Sequence, residues 1–272
     1  MEYSPYYKQA ELLLRVLPII NKDKDFALKG GTAINFFIRN MPRLSVDIDL
    51  TYLPIKEREE SLTDITEKLK RIGKSIKSKI RIAGIIERKL NKTDYLSGIH
   101  IVNNGVTIKV EPNTVIRGSV YNPKTFSLCE NAQSIFELSL KAQCLSLPDL
   151  YGGKLCAALD RQHPRDLYDV KLLLENEGIT EKIRKAFLVY LISHNRPIVE
   201  LLNPKRKDIK QVYEQEFIRM INEKIELKEL EITFNDLVEA INKSLTEDEK
   251  KFLLSFKQMK PDWSLLGLLN ID

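Results

Sequence analysis

The sequence predicts an α+β protein, on three observations. Short apolar runs with the two-residue period of strands crowd the first 120 residues, apolar residues at helical spacing dominate the remainder, and no repeat or low-complexity segment interrupts either part. The expected organisation is therefore a mixed sheet with flanking helices over residues 1–120, followed by a mainly helical part over residues 121–272. With 272 residues and 43% hydrophobic content, the chain can bury a globular core and does not read as disordered.

The elements follow in order. Tyr7, Leu12, Leu13, Leu14, Val16 and Leu17 place an amphipathic helix over 4–20, ended near Pro18. Phe26, Ala27 and Leu28 make a short strand that runs into Gly30, Gly31 and Thr32, after which 33–39 reads as a helix closing before Pro42. In 46–50, Val46, Ile48 and Leu50 alternate with Asp47 and Asp49, so both carboxylates leave one face of a strand. A helix over 57–79 precedes strands at 81–90, 98–103 and 106–112. Beyond about Tyr121, helices are expected at 131–139, 149–160, 167–176, 180–193, 207–225, 234–243 and 246–256.

Composition narrows the class. Glu2, Lys8, Glu11 and Arg15 break up the first 24 residues, so no apolar leader is read there, and no later run approaches the length of a membrane span. Cys129, Cys144 and Cys156 form an odd set without metal-like spacing, which points to reduced thiols and a cytoplasmic location. His100, His163 and His194 are scattered and support no zinc site, leaving a carboxylate-bound magnesium open. The net charge of +5 is unevenly spread. Ten basic residues between Lys68 and Lys92 face the single acid Glu87. Such a segment would attract polyphosphate or RNA; it is also what a solvated helix face in a lysine-rich chain looks like.

Phosphoryl transfer depends on neutralising charge and positioning groups, and three parts of the sequence suit it. Gly30 and Gly31, followed by a helix start, let a backbone approach phosphate, with Thr32 adding a hydroxyl. Taken alone, the same turn is an ordinary strand-to-helix connection. Asp47 and Asp49 disfavour each other's ionisation unless a cation compensates, which invites Mg²⁺, or Mn²⁺ in its place. A solvent-facing edge strand would equally carry two acids. Glu111, in the alternating run of Thr107, Ile108, Lys109 and Val110, is the candidate third carboxylate and acceptor of a hydroxyl proton; an exposed Lys-Glu strand face explains it too.

Lys29-Gly30-Gly31-Thr32-Ala33, then Arg43-Leu44-Ser45-Val46-Asp47-Ile48-Asp49-Leu50, resemble the opening motifs of the AbiEii/AbiGii and MenT-type toxins of the polymerase-β-like nucleotidyltransferase superfamily. The run from Leu150 through Gly152, Gly153, Lys154, Asp160, His163, Pro164, Arg165 and Asp166 to Asp169 is similar to that family's second block, and the segment from Phe252 to Trp263 also resembles it. The resemblance implies a nucleotidyltransferase-type mixed sheet completed by a helical domain, and an Mg²⁺-dependent transfer of NMP from an NTP. It implies phosphate contacts from Gly30, Gly31 and Thr32, with Ser45 beside them, and metal binding by Asp47 and Asp49. Lys154 would reach the NTP phosphates, Asp166 would help complete the site, and Arg43 and Arg165 would neutralise phosphate or pair with acids. A toxin–antitoxin or abortive-infection role, a cognate antitoxin, and an acceptor hydroxyl on RNA (a tRNA 3′ end) or protein come from the resemblance alone.

Local chemistry also offers simpler roles. Lys154 could be the exposed face of an amphipathic helix, Asp166 and Asp169 could cap a helix start after Pro164, and His163 reads as a packing or capping residue. The basic group Lys205, Arg206, Lys207 and Lys210 suits a solvated face or an RNA backbone. Two other functions stay open: a non-catalytic RNA- or protein-binding toxin that kept the fold, and a phosphotransferase. The second is weakened because His163-Pro164-Arg165-Asp166 lacks the glycine loop and Asp-Phe-Gly of kinases, and Gly152-Gly153-Lys154-Leu155 lacks the hydroxyl residue of a P-loop.

Overall fold

The computed structural model describes residues 4–268; the first three residues of the stretch read for a leader and the last four of the helical part lie outside the described residues. The chain divides into two compact units, Met1–Ser146 with Arg219–Glu223, and Leu147–Ile218 with Lys224–Asp272. The architecture is the α+β one that the periodicities predict. Among the described residues no helix is long and apolar enough to cross a membrane.

The first unit opens with α1 (Pro5–Ile20), capped by the Ser4 hydroxyl, which accepts from the Tyr6 N–H at 3.3 Å, with a proline in the first turn where a missing N–H costs nothing. The helix runs two residues past Pro18, with Leu17 and Ile20 buried on either side of it. It continues through β1 (Phe26–Lys29), α2 (Gly30–Ala33) merging into a π-helical turn over Ile34–Ile38, β2 (Asp47–Tyr52) and α3 (Arg58–Lys79). Then come β3 (Gly84–Lys89), β4 (Leu96–Asn103), β5 (Val106–Arg117), β6 (Lys124–Ser127), α4 (Glu130–Phe136) and β7 (Lys141–Cys144). The short strands β6 and β7 lie beyond Tyr121, where the sequence predicts helices. Four residues each, they are too brief to show a period, and they pair with each other and, through β7, with β1.

The strands form one sheet in the order β3, β4, β5, β2, β1, β7, β6. The run from β3 to β5 is an antiparallel meander, β5 lies parallel to β2, and β2 pairs antiparallel with β1. Ile48, Ile99, Ile101, Ile108 and Val110 are buried on the face covered by α1 and α3. Gly73 of α3 sits so close to that face that an added Cβ would lie 3.3 Å from an Ile85 methyl. Alternation then fixes the opposite face: Asp47, Asp49, Lys109 and Glu111 project there.

The second unit is helical: α5 (Leu147–Arg161), α6 (Pro164–Asn176), α7 (Glu181–Ile192), α8 (Ile198–Leu202), α9 (Lys210–Gln215), α10 (Leu227–Ser244) and α11 (Glu247–Lys257). Gly152 is a packing residue of α5, since a Cβ there would lie 2.8 Å from the Phe187 nitrogen of α7. Thr246 and Glu249 cap α11 reciprocally, and Glu249, buried, also accepts both of its contacts with the Arg184 Nε at 2.7 and 2.8 Å. The continuous helix predicted over 207–225 is broken. Its buried residues divide between the two units, Met220 in the first and Ile209, Phe217 and Ile225 in the second, and at Phe217–Arg219 the chain tightens to a 3-10 turn. Arg219–Glu223 then rejoins the first unit, where the Leu44 N–H donates to the Met220 carbonyl at 2.7 Å.

Candidate active site

Eight of the residues singled out in sequence gather in the first unit. β1 ends at Lys29, and the chain turns into α2 through Gly30, whose φ of +69° is the left-handed region that glycine adopts without strain. The Lys29 position pairs with Asp49 across the antiparallel β1–β2 ladder, which brings the acid to that turn. A Cβ on Gly30 would lie 2.5 Å from Asp49 Oδ2, and one on Gly31 would lie 2.6 Å from Arg43 Nη2 and 3.1 Å from Ser45 Oγ. The bare Cα atoms thus admit the protein's own carboxylate and guanidinium, a use of glycine beyond the close approach of phosphate expected from sequence.

Thr32 is buried, and its hydroxyl donates to the Asp47 carbonyl at 2.6 Å and lies 2.9 Å from the Ser45 hydroxyl. Its visible work is to tie α2 to the start of β2, so it holds Asp47 from behind. Arg43 is 2% exposed, donates to the Leu44 carbonyl at 2.9 Å, and pairs through its backbone with Ile221. That guanidinium lies inside the fold.

On the other side of β2, the parallel register with β5 sets Asp47 against Lys109 and Asp49 against Glu111. Asp47 and Asp49 are half-buried, whereas Glu111 is exposed and has no hydrogen bond or ion pair of its side chain among the described residues. Glu111 leans over Gly98 of β4: a Cβ there would meet Glu111 Cγ at 3.1 Å and the Val110 carbonyl oxygen at 2.6 Å. Gly98 escaped the sequence reading, because only the strand register reveals what lies beside it. Among the described residues no group of three or more His, Cys, Asp or Glu is arranged to hold a metal ion. The hard oxygen donors of Asp47 and Asp49 still suit Mg²⁺, which is commonly held by one or two carboxylates together with a substrate's phosphates.

Lys154 and Asp166 lie in the second unit, in a cluster with Arg161 and Asp169. Lys154 Nζ on α5 lies 2.8 Å from Asp166 and 3.0 Å from Asp169, both on α6, and Arg161 grips Asp166 with contacts of 2.5 and 3.1 Å. Lys154, Asp166 and Asp169 are all buried. Burial by itself would raise the Asp166 carboxyl, but Lys154 and Arg161 outweigh it and hold the group well below the ordinary carboxylate range. His163 caps α6, its Nδ1 accepting from the Arg165 N–H at 3.1 Å. Burial, reinforced by Arg165, pushes the imidazole down to about 4 against the opposing pull of Asp166, so it is neutral at neutral pH. The capping duty expected of Asp166 and Asp169 is carried by His163, which frees both acids for Lys154.

The cysteines are free thiols; burial lifts Cys144 to about 12 and raises Cys156 strongly, which leaves both unreactive.

Comparison with known proteins gives the lineage. Among solved structures, MenT4, a nucleotidyltransferase toxin from Mycobacterium tuberculosis H37Rv, is similar with a TM-score of 0.70 and 13% identity, over 98% of this chain and 94% of that one. No curated protein sequence matches. The sequence model described as "Nucleotidyl transferase AbiEii toxin, Type IV TA system" matches residues 11–270. With the motifs and the fold, that match over nearly the whole chain places this protein in the AbiEii family of nucleotidyltransferase toxins.

Proposed function

We propose that Asp47 and Asp49 bind a divalent cation, Mg²⁺ or Mn²⁺, with the triphosphate of an NTP, and that the chain transfers NMP to a hydroxyl of RNA, such as a tRNA 3′ end. The observation that carries this reading is the placement of Asp49 against Gly30, with Asp47 two residues earlier on the same strand face and Glu111 beside Asp49 in register. A divalent ion bound there would neutralise the triphosphate's charge. The chain's own residues supply the rest. Gly30 and Gly31 bring backbone close to the phosphates, Ser45 and Thr32 hold the start of β2, and Arg43 fixes the loop before it.

In the transfer, the acceptor oxygen forms a bond to the α-phosphorus while the bond from that phosphorus to the pyrophosphate oxygen breaks. Pyrophosphate leaves, and the hydroxyl proton passes to Glu111, an exposed carboxylate without an ion-pair partner among the described residues. Free thiols and a need for NTP are consistent with work in the cytoplasm, in a toxin–antitoxin or abortive-infection system with a cognate antitoxin.

Incubation with each of four α-labelled NTPs, Mg²⁺ or Mn²⁺, total tRNA and total protein tests the reading. Label in tRNA is the expected result. Label on protein would move the acceptor to a protein hydroxyl, and absence of label from both pools with folded chain would leave a binder that retains the fold.

A further inference from the structure

The sheet face that carries the acids does not stop at β5. Register extends it outward in two rows: Asp47 is followed by Lys109, His100 and Ile86, and Asp49 by Glu111, Gly98 and Arg88. Helices α1 and α3 lie on the other face, where Ile85 and Ile99 meet Gly73. On the acid-bearing face Ile86 is 50% exposed, Lys109 and Arg88 are exposed, and His100 is half-buried. Neither Arg88 nor Lys109 has a hydrogen bond or ion pair of its side chain among the described residues. Three strand spacings separate β2 from the edge strand β3, about 14 Å, the rise of roughly four stacked nucleotides.

Two exposed cations flank an imidazole and an isoleucine on this sheet face, with a bare Cα at Gly98 between them. This chemistry suits a polynucleotide: cations for phosphates, flat or apolar surface for unstacked bases. The ten basic residues of the sequence divide on the same geometry. Lys70, Lys74 and Lys77 lie on α3, on the helix-covered side, while Arg88 lies on the side of the acids.

We propose that the uncovered face of β3, β4 and β5 is a track for single-stranded RNA, with phosphates at Lys109 and Arg88, a base over Ile86 and His100, and the terminal hydroxyl at Asp47 and Asp49. The proposal deepens the RNA-acceptor reading and rests on it. Gly98 keeps the row beside Glu111 low enough for a strand to cross.

Fluorescence anisotropy of a short 5′-fluorescein single-stranded RNA, titrated with the full chain at several salt concentrations, reads the track without requiring turnover. Arg88→Ala and Lys109→Ala should each reduce the salt slope by about 0.7, and the conservative Arg88→Lys and Lys109→Arg should restore it. His100→Ala should weaken binding at high salt by about fivefold or more through lost stacking. Lys74→Ala with Lys77→Ala should leave the slope unchanged, and thermal melts of every variant confirm folding. Failure of the wild-type chain to bind the RNA, a slope insensitive to Arg88 and Lys109, or a slope that follows Lys74 and Lys77 would each overturn the track. RNA bound as described but never labelled from NTP would leave the track standing and sink the transfer reading instead.

Discussion

The two acid pairs of this chain show how one residue type serves opposite ends. Asp166 and Asp169 sit three residues apart on α6, 1% and 0% exposed, with their countercharges built in as Lys154 and Arg161. Asp47 and Asp49 sit two apart on β2, half-buried, on the sheet face opposite α1 and α3 and beside a glycine turn. A buried carboxylate is stable only when the cation is part of the fold; one that solvent reaches can exchange its cation with the surroundings. The first pair has cationic partners within its own unit, and the second is the pair proposed above to hold a divalent ion.

The sharpest break between the pairs is therefore in what neutralising an acid does. Asp47→Asn or Asp49→Asn keeps the side-chain shape and relieves repulsion, so the thermal midpoint should barely move. Nucleotidyl transfer should fall by about 10³-fold, the loss of several kcal/mol of charge stabilisation in the transition state. A variant with wild-type turnover would remove the site from β2.

Lys154→Ala should behave in the reverse manner. It removes a cationic partner from two buried carboxylates, a defect worth about 3–5 kcal/mol, and urea unfolding should show the loss. The sequence suggests that Lys154 acts mainly on nucleotide use, as its family motif implies. Unchanged stability with a raised KM for NTP would favour that role and dissolve the contrast between the two pairs.

Acid should loosen the surroundings of the Asp166 and Asp169 pair in two stages. His163 titrates near 4 when folded and near 6.5 when unfolded, so between these values the unfolded chain binds the extra proton and stability falls as pH drops, by up to roughly 3 kcal/mol. Asp166 has its folded value depressed, so its contribution is full above the ordinary carboxylate value of 3.8 and is lost only as pH falls through the lower folded one. His163→Asn retains a capping acceptor for the Arg165 N–H and should flatten the upper stage alone in a stability-versus-pH series. A slope unaltered between 6.5 and 4 would show that another group titrates there.

Local pattern carried the strand face of Asp47 and Asp49, because alternation is a property of five consecutive residues. It could not carry the register that sets Glu111 beside Asp49, since they are 62 positions apart and only the sheet order joins their strands. Helical spacing on α5 suggests an exposed Lys154, yet two acids from a different helix surround it. The break within 207–225 was hidden for a related reason: its apolar residues serve two different units, a division that helical spacing along the chain does not show. Elements set by neighbours in sequence were legible; partners set by long-range packing were not.

The glycines give the smallest and most discriminating effect. Gly30 and Gly31 look alike in sequence, but only Gly30 has a positive φ, and the atom blocking its missing Cβ is a carboxylate oxygen of Asp49 at 2.5 Å. Gly30→Ala must accept left-handed strain of about 1–2 kcal/mol and also push Asp49 aside, so both stability and transfer should drop. At Gly31 the obstacle is the far end of Arg43, a long side chain buried with its guanidinium 2.6 Å from the new atom. Gly31→Ala should therefore cost stability while retaining more of the transfer activity than Gly30→Ala. Measured side by side, a larger activity loss at Gly31 would mean that its bare Cα, and not the placement of Asp49, is what the turn supplies to the reaction.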